Sequence, residues 1–119
     1  MITRLIEGVP DVTTRIAVGN AATALTDVIL YKDAISANNR DIKNIAQEVL
    51  ITVEDNVIRW AMGVDPENTG GSSADLGHEL GVGKSLMLRG WGQIKNFKHI
   101  NAVSGSVGVI QVTPFFSGN

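Results

Sequence analysis

The sequence predicts an all-β protein, an antiparallel two-sheet sandwich of jelly-roll-like or immunoglobulin-like form with at most one or two short helical turns. Three observations carry that expectation. Apolar residues recur at every second position in several short runs. Each run is bounded by Gly, Asn or Asp, the residues of turns. About eight such runs at regular spacing fit a two-sheet sandwich, and periodicity alone does not choose between the two topologies. The chain of 119 residues is read as a single domain, with residues 1–11 as an N-terminal arm. A hydrophobic content of 44% is enough for a packed core and argues against disorder.

The elements follow in order. The arm carries Ile2, Leu5 and Ile6 ahead of Gly8 and Pro10. Thr14, Ile16 and Val18 form the first strand, and Val28 with Leu30 suggests another. Ser36 to Ala46 departs from this pattern. Ile42, Ile45 and Ala46 have helical spacing, with Asn38 or Asn39 as cap, although Ile45 to Glu54 also reads as one long strand with a bulge. Val49, Ile51 and Val53 form one apolar face, and Ile58, Trp60 and Met62 form the next. Asp55-Asn56 between them suggests a tight hairpin, because Asn tolerates left-handed backbone angles.

Asp65 to Asp75 is rich in Pro, Gly, Ser and Asn and reads as a long exposed loop. Leu86 and Leu88 mark a later strand. Gly90 and Gly92 then break the pattern, and a short helical turn is expected at Trp91 to Phe97. Phe97 is placed at one end of the sandwich. Ser104 to Gly108 reads as a hairpin turn before the last strand, which holds Ile110 and Val112.

The residue inventory excludes several classes. There is no cysteine, so neither a disulfide framework nor a cysteine metal site can form within the chain. A net charge of −2 argues against direct nucleic-acid binding. No run of 18 apolar residues is present, and the first residues lack a long apolar signal core, so no membrane partner and cytoplasmic synthesis are the expectations.

No catalytic, cofactor-binding or metal-binding residue is assigned, and the protein is not expected to be an enzyme. His78 and His99 lack metal-ligand spacing and read as surface or hydrogen-bonded loop residues. Asp65, Glu67 and Asp75 could cluster around a hard cation, but without the spacing of a known calcium loop. Gly83-Lys84-Ser85 ends like a phosphate-binding loop, yet His78 stands where the first glycine is needed. Leu86-Met87-Leu88 also reads as a strand rather than a helix.

Partner contacts are the remaining candidates. Trp60 is expected in the core. Trp91, between two glycines, suits either a core or an interface role. Adjacent residues of a strand point to opposite faces, so one of Phe115 and Phe116 is expected to be exposed. The candidate interface residues are therefore Ile2, Leu5, Ile6, Pro66, Asn68, Trp91, Phe115 and Phe116.

The middle and end of the chain carry a resemblance. Its residues are Ile51-Thr52-Val53-Glu54, Asn56, Ile58-Arg59-Trp60, Asp65-Pro66, Gly77-His78, Leu80, Gly83, Leu86, Leu88, Ile94, Asn96-Phe97, Ile100 and Gln111-Val112-Thr113. This pattern resembles short phage and prophage virion proteins, including capsid decoration (cement) proteins built on a β-sandwich. It covers roughly residues 48–113, about half the chain; Trp60 and the Thr113-Pro114-Phe115 ending depart from it.

The resemblance implies a viral structural protein on the capsid surface of a virion. Its partner would be the major capsid protein, and it would form a homo-oligomer, a dimer or trimer. A tail, baseplate or adhesion component and a carbohydrate-binding jelly-roll module are the alternatives.

Overall fold

A computed structural model describes residues 9–26, 30–31, 45–68 and 76–116. The strands are β1 (Val9–Pro10), β2 (Thr14–Val18), β3 (Thr23–Ala24), β4 (Glu48–Asp55), β5 (Ile58–Met62), β6 (His78–Leu80), β7 (Ser85–Arg89), β8 (Phe97–Asn101) and β9 (Gly108–Phe116). One short helix, α1 (Trp91–Asn96), joins β7 to β8. The expected short turn at Trp91 to Phe97 is this helix.

Two antiparallel sheets pack face to face. One runs β1–β9–β4–β7, with β2 following β1 along the same side of β9; the other runs β3–β8–β5–β6. With β1 and β2 taken as one interrupted strand, each sheet is four strands wide. The pairs β2·β9, β3·β8, β4·β7 and β5·β6 are nested, outermost to innermost. Nested pairing of eight strands is the jelly-roll arrangement, which decides between the two topologies.

The nesting corrects the expected hairpins. Apart from β1 to β2, which run along the same side of β9, consecutive strands cross from one sheet to the other everywhere except β5 to β6. Asp55-Asn56 is therefore a corner between sheets. Asn56 does adopt the left-handed angle, with φ of 57°, and its side-chain Nδ2 donates to Val107 O at 2.7 Å. The Ser104 to Gly108 segment is likewise a crossing from β8 to β9. Leu30 is not in a strand: its N–H donates to Thr26 O at 3.0 Å, four residues back. Val28 and most of Ser36 to Ala46 lie outside the described residues. Ile45 forms an isolated bridge with Tyr31, and the long-strand reading is right only from Glu48 onward. A register shift at Val53/Asp55 marks the irregularity in β4.

Alternation sets the core. Val49, Ile51 and Val53 of β4 and Ile110, Val112 and Phe116 of β9 face inward from one sheet; Ile58 of β5 and Phe97 of β8 face them from the other. Ile94 of α1, with Leu30, Tyr31 and Ala46, belongs to the same apolar cluster. Each fully buried side chain of this size contributes about 1.5–3 kcal/mol relative to exposure.

Pro114 explains the break between β1 and β2. It lies in the interior strand β9, where proline is unusual because it has no N–H to give a neighbour. Its carbonyl still accepts from Asp11 N at 2.9 Å. Opposite Thr113 and Pro114 the edge strand uses three residues, Asp11, Val12 and Thr13, between the paired positions Pro10↔Phe115 and Thr14↔Val112. Three residues against two is a bulge. It leaves Val12 exposed, while the Thr13 and Thr113 hydroxyls bond at 2.6 Å.

Ile110→Ala, which empties a fully buried site in the central strand, is expected to lower unfolding free energy by about 2–5 kcal/mol. Val12→Ala in the bulge is expected to change it by no more than about 0.5 kcal/mol. Urea denaturation of the two variants checks the contrast, and equal effects would contradict this placement of the core.

Candidate binding surfaces

The titratable residues are dispersed. Among the described residues no three His, Asp or Glu side chains converge to hold a metal ion. Asp65 is 2.6 Å from Lys98 Nζ, and Asp75 lies outside the described residues. The Gly81 to Lys84 turn leads directly into β7, a strand, and Lys84 N bonds back to Gly81 O at 3.0 Å.

Neither histidine is a loop residue. His78 on β6 and His99 on β8 both pair in register with Trp60 of β5, one on each side. His78 is exposed, with its ring 4.7 Å from the Trp60 ring. His99 is 2% exposed and lies 6.0 Å from the Phe97 ring. Its Nδ1 is buried and has no hydrogen-bond partner among the described residues. Burial disfavours the imidazolium and lowers its pKa from 6.5 to about 4.

Four expected interface residues are not exposed. Phe116 is 2% exposed and belongs to the core; Phe115, on the opposite face, is 8% exposed beside Glu48. The pair sits in a strand flanked on both sides, not in a free tail. Pro66 and Asn68 are also buried. The segment after β5 folds back over the outer face of the second sheet, where Ala61 and Ile100 are buried outside the main core. Asn68 Nδ2 donates to Asn101 O at 2.9 Å and to Asn20 Oδ1 at 3.2 Å. Pro66 fits there because Gly77, with φ of 122°, has no Cβ: one would lie 3.2 Å from Pro66 Cβ and 3.0 Å from Trp60 O. Ile2, Leu5 and Ile6 lie outside the described residues. Trp91 is half-buried, its ring 5.7 Å from Tyr31.

Two surfaces stand out instead. The first is an open cleft of about 380 Å³ lined by Trp60, Ala61, Met62, Val64, Leu76, Gly77 and His78. Trp60 and Met62 pack partly against the core and reach the cleft with their remaining surface, and Val64 and Leu76 are exposed at its rim. Mostly apolar walls with a single ionisable side chain suit an uncharged apolar or aromatic group. Sequence reasoning assigned Trp60 wholly to the core. Val64, an exposed apolar residue two positions after β5, was the available signal that this strand end borders a cleft.

The second surface is one end of the sandwich. Antiparallel register brings four connections there: 19–22, 56–57, 81–84 and 102–107. They expose three large apolar side chains, Val82 at 55%, Val103 at 63% and Val107 at 56%. Asparagines tie these connections together. Asn20 Oδ1 accepts from Gly105 N at 3.1 Å, Asn56 Nδ2 donates to Val107 O, and Asn101 Nδ2 donates to Val103 O at 2.9 Å. Backbone bonds from Ala102 N to Val57 O and from Gly83 N to Val53 O complete the lattice.

No described protein family, no curated protein and no solved structure matches this chain.

His99 predicts an acid dependence of stability. Its folded pKa lies below the unfolded value, so between about pH 6.5 and 4 the unfolded chain takes up a proton that the folded one does not. The contribution is complete above pH 6.5 and declines by about 3 kcal/mol as pH falls through that window. Denaturation curves of wild type and His99→Leu across pH 4–7 check this. The wild type is expected to lose more stability than the variant on acidification, and parallel profiles would contradict it.

Proposed function

We propose that the protein is a virion component, a bacteriophage capsid decoration protein. It binds the outer surface of the assembled shell and bridges neighbouring copies of the major capsid protein. The observation that carries this reading is the open Trp60 cleft, lined by a tryptophan, a methionine and rim aliphatics at the edge of a jelly roll. The resemblance of residues 48–113 to short phage virion proteins supports it. Jelly rolls serve as viral structural domains and also as lectins and enzymes, so the fold alone does not choose the role.

The mechanism is mechanical. An apolar side chain from the shell enters the cleft and stacks on Trp60, with Val64 and Leu76 closing around it at the rim and His78 as the one polar side chain beside it. Many copies on a symmetric shell turn modest single contacts into lasting attachment, and copies that bridge subunits resist expansion of the shell. Synthesis in the host cytoplasm followed by addition to the finished shell fits this role. Among the described residues no helix is long and apolar enough to cross a membrane.

One observation favours a second reading. Trp60 and His78 side by side in an open cleft are also the aromatic-plus-polar pairing that receives a sugar ring. A glycan array with reproducible hits lost in Trp60→Ala would favour that module over decoration.

Co-sedimentation of the purified protein with capsids of its own phage tests the first reading. Binding is expected for wild type. Trp60→Ala is expected to weaken it by about 2 kcal/mol or more, roughly thirtyfold, with an unchanged far-ultraviolet circular dichroism spectrum. Absence of wild-type binding, or full binding by a folded Trp60→Ala protein, would contradict it.

A further inference from the structure

A line of rings connects the Trp60 cleft to the interior. The His78 and Trp60 rings lie 4.7 Å apart, Trp60 and Phe97 6.0 Å, and Phe97 and His99 6.0 Å. The line begins at an exposed imidazole on the cleft and ends at a second imidazole that is 2% exposed. The backbone ties the same residues together. His78, Trp60 and His99 occupy one register row across β6, β5 and β8, so they share a face of the sheet. It is the inner face, because Phe97, two residues before His99, belongs to the core.

His99 has nothing there to receive a second proton. Its Nδ1 lacks a hydrogen-bond partner among the described residues. The strands around it turn their charges away. β8 directs Lys98 outward to Asp65, β5 directs Arg59 outward to Glu79, and β2 directs Arg15 outward to Glu54. β4 and β7 pair Glu48 with Arg89 on the outer face, and α1 buries Ile94 while Lys95 is exposed. β3 presents Thr23, whose hydroxyl donates to Ala21 O at 2.9 Å, and β9 presents Ile110 and Val112. The titratable side chains on the inner side are His78, beyond Trp60 in the row, and Tyr31, packed on Trp91. An imidazolium at position 99 would therefore carry its charge among apolar groups with neither acceptor nor counter-ion, so it must gain water to persist.

We infer that His99 is an acid switch for the Trp60 cleft: proton uptake between the sheets displaces Phe97 and Trp60 and spoils the apolar seat. The cleft side has the room for that movement. A close-packed interior does not let an indole swing, but Trp60 borders an open volume of about 380 Å³. The adjoining strand β6 holds this edge with only three paired residues. The closed form keeps His99 neutral down to about pH 4, whereas a hydrated imidazole takes up its proton near pH 6.5. Between those values only the open form gains the proton, so the ratio of open to closed rises about tenfold for each unit of falling pH. Opening one sheet edge costs less than unfolding the whole chain, so it is reached first. The switch acts on the cleft assigned to the shell, and it rests on that reading only for what acid releases.

Acrylamide quenching of Trp60 in the free protein tests the switch. Trp91→Phe combined with His78→Gln leaves Trp60 as the only indole and removes the imidazole beside it. In that parent the quenching constant is expected to rise at least about twofold between pH 7 and pH 4.5, with an unchanged far-ultraviolet circular dichroism spectrum. Adding His99→Leu or His99→Gln, neither of which takes up a proton, is expected to flatten the profile. Adding Phe97→Leu is expected to remove the Trp60 response while the His99 ring still titrates by nuclear magnetic resonance. A flat profile in the parent overturns the proposal. So does a rise that survives both His99 variants, or one that appears only together with loss of the circular dichroism signal. If the parent responds as expected and capsids nevertheless keep the protein at pH 4.5, the switch stands and the shell contact lies elsewhere than the cleft.

Discussion

The fold depends on β9 being held from both sides. It is the longest of the described strands, nine residues, and pairs with β1 and β2 along one side and β4 along the other. Its inward residues Ile110, Val112 and Phe116 form one wall of the core. With no cysteine in the chain, no covalent tie can replace this one. Burial between the sheets and the two ladders along β9 must together outweigh the entropy of ordering the chain. The arrangement even absorbs a proline in mid-strand, because the edge strand bulges opposite the residue that has no N–H to give.

What was readable in advance and what was not divides along physical lines. Strand positions were legible because a half-buried strand must alternate, and Val49-Ile51-Val53 and Ile110-Val112 do so plainly. Pairing was not legible, because alternation gives a residue's face and not its neighbour. Asn56 illustrates the gap: its left-handed angle was foreseeable, but whether the turn made a hairpin or a corner depended on the distant β9 and β8. Phe115 and Phe116 differ from expectation for the same reason: alternation puts them on opposite faces, but both faces of β9 are covered there. Pro66 and Asn68 were misjudged by composition. Polar loop residues usually stay in solvent, and here Asn68 is buried because its amide has partners in Asn20 and Asn101.

The functional surfaces were the least legible part. Trp60 follows the core pattern in sequence and is half core, half cleft in space. The loop end is spread over four segments whose convergence follows only from the nested topology. Its valines are separated by glycines, serines and alanines that look like ordinary turns. Among the described residues the sandwich leaves apolar side chains exposed at two places besides the Val12 bulge, the Trp60 cleft and the loop end.

The central claim is that the sandwich is completed on the outside of a capsid shell. A cryo-electron microscopy reconstruction of particles carrying this protein tests it most directly. The account predicts eight-stranded sandwich density on the outer surface at junctions between capsid subunits, with the Trp60 edge turned toward the shell. Particles that lack the protein, or that carry it with the Trp60 edge facing solvent, would contradict the account.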